Sequence, residues 1–133
     1  MAEIVVFDSS AILAVLYKEP GSLAVLEAAA DPDRTVLISS VNLCEVVTKL
    51  VLGGASSSIV TVSIRPFLPY VVAFDSEQAL VAGELSRLTR KLGLSLGDRA
   101  CLALAASRKA TAWTTDLAWL KLKTGVKIHL LRG

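Results

Sequence analysis

A chain of 133 residues with 53% hydrophobic residues is the size of one domain, and it buries roughly two-thirds of its unfolded surface without needing a disulfide or metal staple. Its formal net charge of +2 excludes a strongly basic or acidic surface, so a nucleic-acid partner would have to meet a local basic patch. Charges and glycines interrupt the apolar runs, which excludes a membrane span, and Glu3 and Asp8 in the opening MAEIVVFD argue against a signal peptide, so a cytoplasmic protein is expected.

Glu3–Phe7 is a short β-branched run of the kind found in a strand buried on both faces. Asp8, Ser9 and Ser10 start a helix through AILAVLYK, which Pro20 and Gly21 break. Ser22–Ala30 is a second helix ended by the turn DPDR, and Thr35–Ser39 a second strand. Ser40 opens a helix through SVNLCEVVTKLVL that Gly53 and Gly54 close. The stretch ASSSIVTVSIRPFL mixes capping serines with β-branched residues and is read as a helix. Tyr70–Phe74 is the third strand, and Ser76–Lys91 an amphipathic helix with an acidic start and a basic end. SLGDRACLALAASRK is another helix, Ala110–Trp113 the fourth strand, Leu117–Leu120 a short helix and Lys127–Leu131 the fifth strand. This alternation predicts a single α/β domain, a mainly parallel five-stranded sheet with helices on both faces, and its strand order is taken to be 3-2-1-4-5.

In such a sheet the carboxyl ends of the strands share one edge, and the helices that follow them begin there. Asp8 and Asp116 leave strands at that edge, Glu45 lies in the early turns of a helix entered from strand two, and Asp98 opens the helix returning to strand four. Each has an ordinary alternative. Asp8 and Asp116 suit helix N-caps, Glu45 can pair with Lys49 one turn on, and Ser95-Leu96-Gly97-Asp98 fits a capping box. Against these, Asn42, Glu45 and Lys49 make a narrow polar stripe on an apolar helix, and Asp98 heads the apolar stripe of Cys101, Leu102 and Ala105. Asp75, after the outer third strand, and Asp31 and Asp33, at the opposite edge, are left out of the site.

Carboxylates crowded together repel unless neutralised, and an all-oxygen site suits Mg²⁺ or Mn²⁺. That chemistry points to phosphodiester hydrolysis. Other catalysts are poorly supplied: His129 alternates with Ile128 and Leu130 in the last strand and is assigned a structural role, and no GxGxxG or GxxxxGK[ST] occurs. Cys44 and Cys101 lack the spacing of a zinc or redox pair and are expected to be buried thiols.

VVFDSSAILAVL, SSVNLCEVVTKL, LGLSLGDRACLALA and TAWTTDLAWLKL, in this order and spacing, resemble the PIN-domain ribonucleases, and among them the VapC toxins of toxin–antitoxin pairs. The resemblance covers nearly the whole chain. It implies an Mg²⁺- or Mn²⁺-dependent endoribonuclease that inhibits translation, with Asp8, Glu45, Asp98 and Asp116 holding the metal and Thr114 as the hydroxyl before the last acid. It also implies a homodimer silenced by a VapB-type antitoxin in a hetero-oligomer. Ser9 and Ser10 would orient water or a ligand, and Arg99, Lys18 and Lys121 are candidates for RNA phosphate contacts. Many relatives carry a basic residue after the last acid, where this chain has Leu117.

Two other functions compete. A haloacid-dehalogenase-like phosphatase also has an Asp after its first strand but needs a second acid two residues on, where this chain has Ser10. A catalytically inactive PIN-fold module would bind RNA or protein without turnover.

Overall fold

The computed structural model describes residues 3–131. Five parallel strands form one sheet in the order β3-β2-β1-β4-β5, the expected order. The strands are β1 (Glu3–Phe7), β2 (Arg34–Ser39), β3 (Val71–Val72), β4 (Thr111–Thr114) and β5 (Lys127–Leu130). The helices are α1 (Ser9–Leu16), α2 (Ser22–Ala30), α3 (Ser40–Leu52), α4 (Ser57–Ile64), α5 (Ser76–Thr89) and α6 (Leu96–Arg108).

The central strand explains its own composition. Val5, Val6 and Phe7 are all fully buried, because successive side chains of β1 enter different cores. Val5 and Phe7 pack with Ile12, Val25 and Trp113 on one face, whereas Val6 packs with Leu102, Leu104 and Trp119 on the other. The apolar stripes of α1, α2 and α3 cover the first face, and α6 covers the second so completely that every residue from Ala100 to Ala105 is buried.

Two expectations need correction. The third strand is two residues long rather than five: Pro66 and Pro69 lie in a 3-10 segment over Arg65–Tyr70 that takes Tyr70 out of the strand, and at the other end the Phe74 amide donates to the Ser40 hydroxyl at 3.0 Å. Proline lacks a ladder donor and fixes its own φ, so chain leading into β3 favours a tight turn over pairing. Cys44 is exposed on α3, while Cys101 is buried as expected. Position 44 falls outside the inward stripe formed by Asn42, Val46 and Leu50.

Smaller differences are at ends. The helix expected over the serine-rich stretch is α4, capped by Ser56, whose hydroxyl accepts from the Ile59 amide. The long fifth helix passes into 3-10 geometry at Arg90–Leu92, and the helix expected at Leu117–Leu120 is a 3-10 turn spanning Leu117–Lys121. Among the described residues, no helix is long and apolar enough to cross a membrane.

Candidate active site

The carboxyl edge of the sheet joins the ends of β1 and β4 directly: the Asp8 amide donates to the Trp113 carbonyl at 3.1 Å. Asp8 is the N-cap of α1, its Oδ1 accepting from the Ala11 amide at 2.9 Å and from the Ser10 hydroxyl at 2.6 Å. Ser10 ties this point to β4, since its Oγ accepts from the Thr115 amide at 2.9 Å and lies 3.5 Å from Thr114 Oγ1. Thr114 is fully buried, and its hydroxyl accepts from the Asp116 amide at 3.0 Å. Asp116, exposed, caps the 3-10 turn through the Ala118 amide at 3.0 Å.

The other two acids come from helices. Asp98 occupies the third position of α6 and closes a capping box, accepting from the Ser95 amide at 2.9 Å while its own amide donates to Ser95 Oγ at 3.2 Å. Glu45, half-buried on α3, forms no ion pair with Lys49; its Oε1 accepts from the hydroxyl of Ser9 and from Asn42 Nδ2. Asn42 also donates to the carbonyl of Gly97 at 3.0 Å, which joins α3 to the start of α6. The capping roles of Asp8, Asp98 and Asp116 are therefore real, and they coexist with a shared electrostatic field.

That field is visible in the protonation equilibria. Burial pushes the Asp8 carboxyl from 3.8 up to about 6, against hydrogen bonds from Ser10, Thr114 and the Ala11 amide, and the charge of Asp98 adds to the rise. Asp98 is also raised, by its burial first, with the charges of Glu45 and Asp116 contributing against the Ser95 bonds. Burial raises the Cys101 thiol, and Asp8, Asp98 and Glu45 reinforce it, so three of the acids lie near enough to act on one buried group. Asp75 takes no part: it caps α5 through the Gln78 amide at 2.9 Å.

Among the described residues, no three His, Cys, Asp or Glu side chains are gathered into a ready-made metal cage. The donor set nonetheless fits a hard divalent cation. The carboxylates are electrostatic neighbours, among the described residues no cationic side chain is bonded to any of the four, and hydroxyl groups flank them. Among the described residues, the buried Oδ1 of Asn42 also has no hydrogen-bond partner.

The basic candidates separate. Arg99 points away, its Nη1 donating to the Ala82 carbonyl on α5 at 2.9 Å, so it fastens α5 to α6. Lys18 and Lys121 are exposed, at the end of α1 and of the 3-10 turn. His129 stacks on Trp113 with ring centroids 4.4 Å apart and bonds to none of the acids. Sequence reasoning placed Asn42 only in a polar stripe and missed the part played by Gly97; the offset of three residues from Asn42 to Glu45, one helical face, was the available signal.

Residues 5–124 match the family model described as PIN domain. No curated protein sequence gives a significant match. Among solved structures, VapBC2 of Rickettsia felis bound to a promoter DNA fragment is similar at 20% identity and a TM-score of 0.71, covering 96% of this chain and 98% of that one. VapBC-1 of nontypeable Haemophilus influenzae gives 16% identity and a TM-score of 0.73 over 96% and 98% of the two chains. VapBC-5 of Mycobacterium tuberculosis gives 22% identity and 0.61 over 98% of each. At such identities the likeness speaks for the fold.

Proposed function

The chain belongs to the PIN-domain family, and on that premise we propose that it is an Mg²⁺- or Mn²⁺-dependent endoribonuclease acting as the toxin of a toxin–antitoxin pair. The observation that carries this reading is the set of four acids from four separate elements, coupled electrostatically at the carboxyl edge of the sheet. Asp8, Glu45, Asp98 and Asp116 would hold the metal, with Thr114, Ser9 and Ser10 supporting them. When bound, a divalent cation supplies charge neutralisation at the phosphate and a water of lowered pKa.

The chain's own residues then orient and exclude. Ser10, in α1, and Thr114, at the end of β4, both bond to the buried Asp8, and the capping box holds Asp98 at the start of α6. Lys18 and Lys121, both exposed, remain candidates for phosphate contacts; Arg99 is the weakest, being committed to Ala82. The phosphatase reading loses support from Ser10, which stands where a second acid would be and is bonded to Asp8 and Thr115.

Support for an antitoxin comes from an open groove of about 790 Å³ beside Glu45, lined by Tyr17, Val41, Cys44, Leu52 and Leu96. Leu52 there is 83% exposed, and such a surface suits the apolar face of a partner segment. A basic side chain entering from that groove would compete with the cation for the same carboxylates. A homodimer is part of the proposal, and Leu80 and Leu88, exposed on α5, offer apolar surface for it.

Inducible expression tests the toxin role. Wild-type protein is expected to arrest growth, co-expression of the partner encoded beside it to restore growth through a stable complex, and Asp8→Ala to be harmless. Unimpaired growth with soluble wild-type protein present would remove the toxin assignment and leave the nuclease assignment standing.

A further inference from the structure

Glu45 differs from the other three acids because it caps nothing. Asp8, Asp98 and Asp116 are each held by backbone amides at the start of a helix or turn, whereas Glu45 lies within α3. A glutamate there has three free side-chain torsions and a large rotamer entropy to lose. Its carboxylate is nevertheless fixed. Oε1 accepts from the Ser9 hydroxyl and from Asn42 Nδ2, the latter at 3.1 Å.

Asn42 is 1% exposed, and its Nδ2 lies 3.0 Å from both Ser9 Oγ and the Gly97 carbonyl. Only the NH₂ end of the amide can face a carboxylate and a carbonyl, both acceptors, so the orientation of Asn42 follows from its neighbours. Gly97 completes the arrangement. A Cβ on residue 97 would overlap Oε1, Cδ and Oε2 of Glu45. Its φ is not positive and alanine is the better helix former, so what the glycine supplies here is room for the Glu45 carboxylate, which a Cβ at position 97 would force to move off its Ser9 and Asn42 partners.

We infer that Asn42 and Gly97 are positioning residues that mount Glu45 with one oxygen committed: Ser9 and Asn42 occupy Oε1, and Gly97 clears the volume in which the carboxylate lies. Oε2, which accepts no hydrogen bond among the described residues, is then the oxygen Glu45 offers to a divalent cation. This assignment rests on the metal-dependent reading above.

The test is Mn²⁺ titration calorimetry on the purified chain, with metal-free urea unfolding alongside, for wild type, Gly97→Ala, Glu45→Ala, the double variant and Asn42→Ala. Gly97→Ala should weaken Mn²⁺ binding by about 10–100-fold, the range for loss of a residue that orients a ligand, and Asn42→Ala should fall in the same range. Gly97→Ala should also lower the metal-free unfolding midpoint when Glu45 is present, yet leave it unchanged or raised in the Glu45→Ala background, where the methyl group has room. If Asn42→Ala does not fold, the cycle between positions 97 and 45 decides alone. A glycine needed only by the helix would shift both backgrounds equally, which overturns the mount. Mn²⁺ binding that Gly97→Ala leaves within about twofold of wild type also overturns it while sparing the metal reading. A wild-type chain that binds no Mn²⁺ overturns the metal reading and with it the role given to Oε2.

Discussion

Neutralising Asp8 should stabilise the metal-free protein at neutral pH, although the residue is a buried helix cap. Its carboxyl is raised from 3.8 to about 6, a difference of about two units, and at about 1.4 kcal/mol per unit this amounts to roughly 3 kcal/mol. Because the folded-state pKa is the higher one, the folded chain holds the proton more tightly. The contribution is therefore present below the unfolded pKa near 3.8 and is lost as pH rises through about 6. Asparagine is as good an N-cap as aspartate and carries no charge, so Asp8→Asn should keep the Ala11 cap and escape the loss. Urea unfolding in EDTA should show the variant more stable than wild type by about 1–3 kcal/mol at pH 7.5 and nearly equal to it near pH 4. Mn²⁺ at about 1,000 times its Kd should reverse the order at pH 7.5, since it adds about 4.1 kcal/mol to the form that binds it. An Asp8→Asn variant destabilised by the same amount at both pH values would refute the reasoning, because its carboxylate would then be worth no more than its cap.

Asp98→Asn should lose metal-dependent activity while its metal-free stability holds or rises in thermal melts, because burial and the charges of Glu45 and Asp116 disfavour ionised Asp98; a large loss would make the capping box its main role. Arg99→Ala should destabilise the fold by about 1.5–3 kcal/mol through the lost charged hydrogen bond to Ala82, leaving RNA affinity of the folded fraction unchanged in filter binding. Lys18→Ala and Lys121→Ala should do the opposite, weakening RNA binding, with a shallower salt dependence, at unchanged stability. A thiol reagent should modify Cys44 rapidly in the native protein and Cys101 only on unfolding, as readings at increasing urea would show.

The parts of this molecule legible in its sequence are those fixed by local patterning. The spans of β1, α2 and α3 follow from β-branched runs and capping residues, and the parallel sheet covered on both faces follows from strand–helix alternation with right-handed crossovers. The four acids were recognisable because chain geometry sends strand ends and helix starts to one edge. What escaped depends on partners distant in sequence. Asn42 and Gly97 are 55 residues apart, and nothing local to either announces a hydrogen bond between them. Arg99 follows an acid of the site, yet packing of α6 on α5 sends it to Ala82. Cys44 is an apolar residue type on an amphipathic helix, and its exposure depends on which face α3 presents to the sheet. At β3, hydrophobicity suggested five residues of strand; the proline-containing 3-10 turn before it takes Tyr70, and the Phe74 amide bonds to Ser40, 34 residues away.

The most direct measurement is RNA cleavage by the purified chain, free of any partner, in Mg²⁺, in Mn²⁺ and in EDTA. The four-acid site predicts cleavage with either metal, none in EDTA, recovery when excess Mn²⁺ is restored, and no cleavage by Asp8→Asn under any of these conditions. Equal cleavage by the wild type in EDTA would contradict the account.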